Sequence, residues 1–240
     1  MEIVKKLAQK AANNWDMPGV TIAFLGDSVT QGCFEIYRKD DDSIETVFDK
    51  NSAYHTYVAK ILSVLYPSVP VNVINAGISG SSAPHGLERM ERDVLRHNPD
   101  LTVVCFGLND CGQDAAGLEK YLTALDGIFE KLKEAGSEIL FMTPNMMNTK
   151  VSCHLTDPLF REIAQRKSES QRDGILDLYV NSAKELCQKR GIPVCDCYAK
   201  WKTMQAAGVD VTELLANKIN HPTRQMNWLF AYSLVEMILS

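Results

Sequence analysis

Residues 20–30 read VTIAFLGDSVT. Val20–Leu25 is a short, nearly unbroken apolar run that stops at Gly26. It lacks the polar alternation of a half-exposed strand, so it predicts a strand buried on both faces, as in a parallel sheet. The same unit recurs outward from it. Pro70–Asn75 (PVNVIN), Asp100–Phe106, Ser137–Thr143 and Ile192–Cys195 read as four further strands. Between them lie stretches with helical spacing. Ser52–Tyr66 aligns Tyr54, Val58, Ile61, Leu62 and Leu65, and Pro84–His97 turns Leu87, Met90, Val94 and Leu95 inward. Leu118–Ala135 is closed by Gly136, and Ile175–Arg190 by Gly191. Pro222–Leu239 reads as a last helix with its proline in the first turn, where the missing N–H costs nothing.

This alternation predicts one α/β domain over 1–240, with a five-stranded parallel sheet and helices on both faces. Right-handed crossovers place all strand C-termini at one rim, where ligands bind in open α/β sheets. Residues 1–16 read as an N-terminal helical extension, with Ile3–Ala12 against the sheet edge. Two regions break the rhythm. Cys33–Asn51 is polar and acidic, equally a solvated insertion or a functional loop; 145–174, weak in apolar periodicity, reads as a substrate-side loop.

The 240 residues are 45% hydrophobic and 23% charged, which fits a soluble globule and excludes a disordered or collagen-like chain. A net charge of −5 argues against nucleic-acid binding, which needs a basic face. No apolar run reaches the roughly 18 residues of a membrane span, and the N-terminus is not a secretory signal. Seven cysteines cannot all pair, so free thiols in a cytoplasmic protein are expected. Cys195-Asp196-Cys197 lacks a second pair at zinc spacing, so no metal is expected, and there is no glycine-rich phosphate loop. Nothing fixes the oligomeric state.

Four residues fall at the predicted rim. Ser28 follows the first strand, Gly80 the second and Asn109 the third, while His221 precedes the last helix. A serine hydroxyl becomes a useful nucleophile when a base takes its proton, and imidazole suits that near neutral pH. Attack on an ester creates an oxyanion, which a glycine N–H and an asparagine amide can hold. Taken singly, each residue also reads as a cap or a turn; the set in order is the signal. Cys33, Cys111, His85 and His154 read as bystanders, and Met146-Met147 as pocket wall or packing.

Gly26-Asp27-Ser28, the second-strand glycine, Gly107-Leu108-Asn109-Asp110 and His221 together resemble the signature blocks of the SGNH (GDSL-type) hydrolases. The resemblance implies a flavodoxin-like three-layer α/β/α fold and cofactor-free hydrolysis of esters or thioesters. It makes Ser28 the nucleophile and His221 the general base, with the Ser28 N–H, Gly80 N–H and Asn109 amide as oxyanion donors. One position departs. The family usually has Asp three residues before its histidine; here Lys218 stands there. Three consequences stay open: a backbone carbonyl orients His221; Asn217, Asp210 or Glu213 substitutes; or the site is weakened. The expected substrate is a small-molecule or carbohydrate ester, with acetyl as the acyl group. The alternatives are a lysophospholipase or thioesterase for longer chains, a non-hydrolytic binding module, and a flavin protein of the same topology.

Overall fold

The computed structural model describes residues 1–240. Chain order runs α1 (Glu2–Ala12), β1 (Val20–Gly26), α2 (Ser28–Gln31), β2 (Cys33–Arg38), β3 (Ile44–Phe48), α3 (Tyr54–Leu65), β4 (Val71–Gly77), α4 (Ala83–Glu88) and α5 (Met90–Asp93). It continues through β5 (Leu101–Cys105), α6 (Leu118–Glu134), β6 (Glu138–Met142), α7 (Pro158–Arg172), α8 (Ile175–Arg190), β7 (Val194–Cys195), α9 (Cys197–Ala206) and α10 (Arg224–Leu239). The main sheet has the parallel order β4-β1-β5-β6-β7. This is the flavodoxin-like α/β three-layer arrangement that the alternating pattern implies.

β5 is buried at every residue because it lies between β1 and β6. On one face α3 packs on α10, with α1 beside it; on the other, α4, α6 and α8 pack together. α6 buries Tyr121, Leu125, Ile128 and Leu132 and ends where Gly136 takes φ 74°, a left-handed value that glycine adopts freely.

The register sets the rim. Gly26 pairs with Gly77 on one side and with Cys105 on the other, so the neighbouring strands β4, β1 and β5 end level. The segments leaving them are Ser28, Ile78–Gly80 and Phe106–Asn109. Gly77 also lets the turn after β1 approach, since a Cβ there would stand 2.2 Å from the Gln31 nitrogen.

Several expectations are corrected. Residues 84–97 form α4, α5 and a 3-10 turn (Leu95–His97), broken at Arg89, whose side chain is drawn beneath the strand ends. Met90 and Val94 still face the core. Pro222 lies outside α10: it bridges to Leu215, and Thr223 caps the helix by accepting the Met226 N–H at 3.2 Å. Cys33–Asn51 is largely a hairpin, β2 paired with β3, and 145–174 holds α7. α9, which no apolar pattern announces, is capped by Asp196 and buries Tyr198 and Trp201. No helix is long and apolar enough to cross a membrane.

Gly77→Ala forces the Ser28 turn off the sheet end. It is expected to cost about 3 kcal/mol, the upper range for overpacking, read as a lowered denaturant midpoint; an unchanged midpoint contradicts the close approach.

Candidate active site

Ser28 opens α2 immediately beyond β1, and the turn is held by Asp27, whose Oδ1 accepts the Val29 N–H at 2.9 Å. Gly32, at φ 92°, ends the turn and sends the chain into β2. Phe34 therefore sits only six residues beyond Ser28, and its carbonyl faces back toward the rim.

His221 meets both. Its Nε2 lies 3.0 Å from Ser28 Oγ, and its Nδ1 lies 2.8 Å from the Phe34 carbonyl oxygen. A carbonyl only accepts, so Nδ1 must carry the proton and donate it. Nε2 is then the bare nitrogen and accepts the Ser28 O–H. Ser28 and His221 are 4% and 6% exposed. Burial holds the imidazole below its ordinary 6.5, while the Phe34 bond and the charge of Glu35 pull it back upward. The ring is thus neutral at neutral pH and can take the hydroxyl proton.

Of the three ways to orient His221, the structure has the backbone carbonyl. Lys218, at φ 58°, turns away: its Nζ donates to the Glu213 carbonyl at 3.1 Å and pairs with Glu213 Oε2 at 2.9 Å. Asp210 pairs with Lys150 at 2.5 Å. Asn217 acts on the backbone instead, its Oδ1 accepting the N–H groups of Ile219, Asn220 and His221 at 3.0, 2.9 and 2.9 Å. None of these three reaches Nδ1. From the region read as a loop, Asn145 donates to the Asn220 carbonyl at 2.9 Å and the Asn148 N–H to that of Ile219 at 2.8 Å. Residues 145–148 are buried scaffold beneath the histidine loop.

Gly80 has φ 76°, and a Cβ there would meet open space. Neither its N–H nor that of Ser28 is spent on a protein acceptor. Asn109 gives one amide hydrogen to the Ser81 carbonyl at 2.9 Å, leaving the other available. Asp110 ties the two loops together, accepting the Ala83 N–H at 2.9 Å and the Gly107 N–H at 3.0 Å. Arg89, 8% exposed, lies under the ends of β4 and β1, donating to the carbonyls of Ala76 at 2.6 Å and Gly26 at 2.8 Å. Its role was invisible in sequence, though a charge between Leu87 and Met90 on an otherwise inward face is the available signal. Burial raises Asp110 to about 6 and Asp27 to about 7, the charge of Asp110 adding to the rise at Asp27.

Gly80 and Asn109 also open onto a cleft of about 490 Å³ lined by Ser82, His85, Gln113 and Lys120. Ser28 and His221 lie outside its lining. His85 and His154 are exposed, Met146 and Met147 are buried in the core, and all seven cysteines are free.

The sequence model of the GDSL-like lipase/acylhydrolase family matches residues 24–229. The chain belongs to this family. It is 27% identical over 135 residues to an acetylxylan esterase of Geobacillus stearothermophilus, a match spanning 52% of this chain and 60% of that one. The match thus spans less than two thirds of that relative's length. Among solved structures, an acetylxylan esterase from Geobacillus stearothermophilus superposes with a TM-score of 0.66 at 22% identity, covering 91% of this chain and 94% of that one. A two-domain esterase active on acetylated mannans has a TM-score of 0.66 at 18% identity, covering 98% of this chain and 51% of the other. These similarities carry the fold. In this chain the partner of His221 Nδ1 is a main-chain oxygen.

The raised Asp27 has a consequence for stability. A carboxyl favoured as the acid in the folded state stabilises fully below its unfolded pKa, and that contribution is lost as pH rises through about 7. Asp27→Asn keeps the acceptor for Val29 without the charge. The Tm of the variant minus that of the parent should therefore grow between about pH 5 and pH 8; a constant difference contradicts the shift.

Proposed function

We propose that the chain is a serine-dependent carboxylic ester hydrolase that removes acetyl groups from a carbohydrate or similar polyol through an acyl-enzyme. The observation that carries this is the connected set Ser28 Oγ, His221 Nε2, His221 Nδ1 and the Phe34 carbonyl, with spacings of 3.0 and 2.8 Å. Ser28 passes its proton to Nε2 as Oγ attacks the acyl carbon. The resulting oxyanion is held by the N–H groups of Ser28 and Gly80 and by the free amide hydrogen of Asn109. The tetrahedral adduct collapses, the alkoxide leaves with the proton from Nε2, and Ser28 retains the acyl group. Water then attacks that ester, giving its proton to Nε2, and collapse releases the acid and restores the hydroxyl.

The acetyl preference is supported by the polar cleft beside Gly80 and Asn109. Ser82, His85, Gln113 and Lys120 offer hydrogen bonds suited to the hydroxyl groups of a carbohydrate. The relatives, which are esterases of acetylated xylan and mannan, point the same way.

A fluorophosphonate probe should label the parent at neutral pH and fail on Ser28→Ala and His221→Ala. Absence of labelling in folded parent protein favours a binding module. Turnover should fall from p-nitrophenyl acetate through butyrate to octanoate, and a maximum at octanoate contradicts the acetyl assignment. Asn109→Ala should lower kcat by roughly 10²–10³, the usual cost of one oxyanion donor. Because the base must be neutral and burial lowers its pKa, the acid limb of kcat/KM should lie below pH 6.5. That limb should persist in Asp27→Asn; its disappearance there would assign it to Asp27 instead.

A further inference from the structure

We propose that Arg224 is a positioning residue for the catalytic histidine, acting by locking the peptide group whose oxygen holds Nδ1. The inference rests on the Ser28–His221 dyad proposed above. Arg224 opens α10 three residues after His221. Its Nη1 and Nη2 donate to the two oxygens of Glu35 at 2.7 and 3.1 Å, and its Nε donates to Asp49 Oδ2 at 3.0 Å. The guanidinium carbon also lies 4.3 Å from the centroid of the Phe34 ring.

The Phe34 carbonyl belongs to the Phe34–Glu35 peptide plane. One guanidinium grips the side chains on both sides of that plane, the ring before it and the carboxylate after it. A two-point fork on a carboxylate restrains rotation where a point charge does not. Asp49 extends the grip, because its N–H donates to the Gly32 carbonyl at 2.8 Å, at the start of the same strand. On the far side, Thr46 Oγ1 donates to the Glu35 carbonyl at 3.0 Å. The oxygen and the ring it holds are 187 residues apart, yet Arg224 joins their two segments directly.

Stability alone does not account for the cluster. Arg224, Glu35 and Asp49 are 33%, 45% and 30% exposed, and ion pairs so exposed contribute little to folding. The family resemblance implies a carboxylate on the histidine's own loop for this orienting work. Here Lys218 is engaged with Glu213, so the orienting group comes from a hairpin that is itself partly exposed. A hairpin carbonyl serves as a fixed acceptor only if the hairpin is tied down beside the histidine.

The test is kcat and KM on p-nitrophenyl acetate, normalised to sites titrated with a fluorophosphonate, for Arg224→Gln, Glu35→Gln, the double variant and Arg224→Lys. Misplacing the ring acts on the chemical step, so kcat should fall roughly 10–100-fold, with KM within about twofold. The double variant should be no worse than the worse single one, because the two residues act as a unit. Arg224→Lys, keeping the cation without the fork, should recover part of the loss. Arg224→Gln with kcat within about twofold of the parent, or losses that multiply in the double variant, overturns the clamp. If either glutamine variant yields too few titratable sites, Arg224→Lys decides alone, its full parental kcat counting against the proposal. Turnover retained in His221→Ala contradicts the dyad itself, whereas His221→Ala inactive beside an undiminished Arg224→Gln removes only the clamp.

Discussion

The hydrogen bond from His221 Nδ1 to the Phe34 carbonyl at 2.8 Å is the constraint on which the rest of the site depends. Because the partner can only accept, it fixes which nitrogen carries the proton, and so which nitrogen faces Ser28. In the chymotrypsin-type serine proteases, replacing the orienting carboxylate so that the wrong tautomer results costs about 10⁴ in rate. In the proposed mechanism a backbone oxygen, which fixes the same tautomer, avoids that loss. It supplies less charge to stabilise an imidazolium, but Glu35 adds a negative charge nearby that acts in the same direction.

Three adjacent strands, β4, β1 and β5, end level, so three loops leave the sheet side by side. Asp110 and Arg89 then bind those loops to one another and to the strand ends. The histidine loop is shaped by Asn217 and braced by Asn145 and by the backbone of Asn148. Two carboxyls, Asp27 and Asp110, are buried close to the rim with raised pKa values. Their burial is a stability cost that grows as pH rises above the ordinary carboxylate range and is in full force above about 7.

Much of this was legible in the sequence, for identifiable reasons. VTIAFL and LTVVC are apolar but for one threonine each because their strands are covered on both faces. Ser28, Gly80, Asn109 and His221 were named as a set from their places after predicted strands and before the last helix. The hairpin was not legible, since β2 and β3 are half exposed and carry acidic residues that read as a solvated loop. α7 was hidden because two of its four buried positions, Ser168 and Gln171, are polar. Phe34 gave no signal at all: the atom that matters is a main-chain oxygen, which any residue supplies. Lys218 did mark the departure, but only coordinates show where the replacement comes from.

The most direct measurement is of the protonation of the two ring nitrogens of His221, from their nitrogen chemical shifts in isotopically labelled protein at neutral pH. A neutral ring with the proton on Nδ1 and a bare Nε2 is the predicted result. A proton on Nε2 with Nδ1 bare, or an imidazolium at neutral pH, contradicts the account.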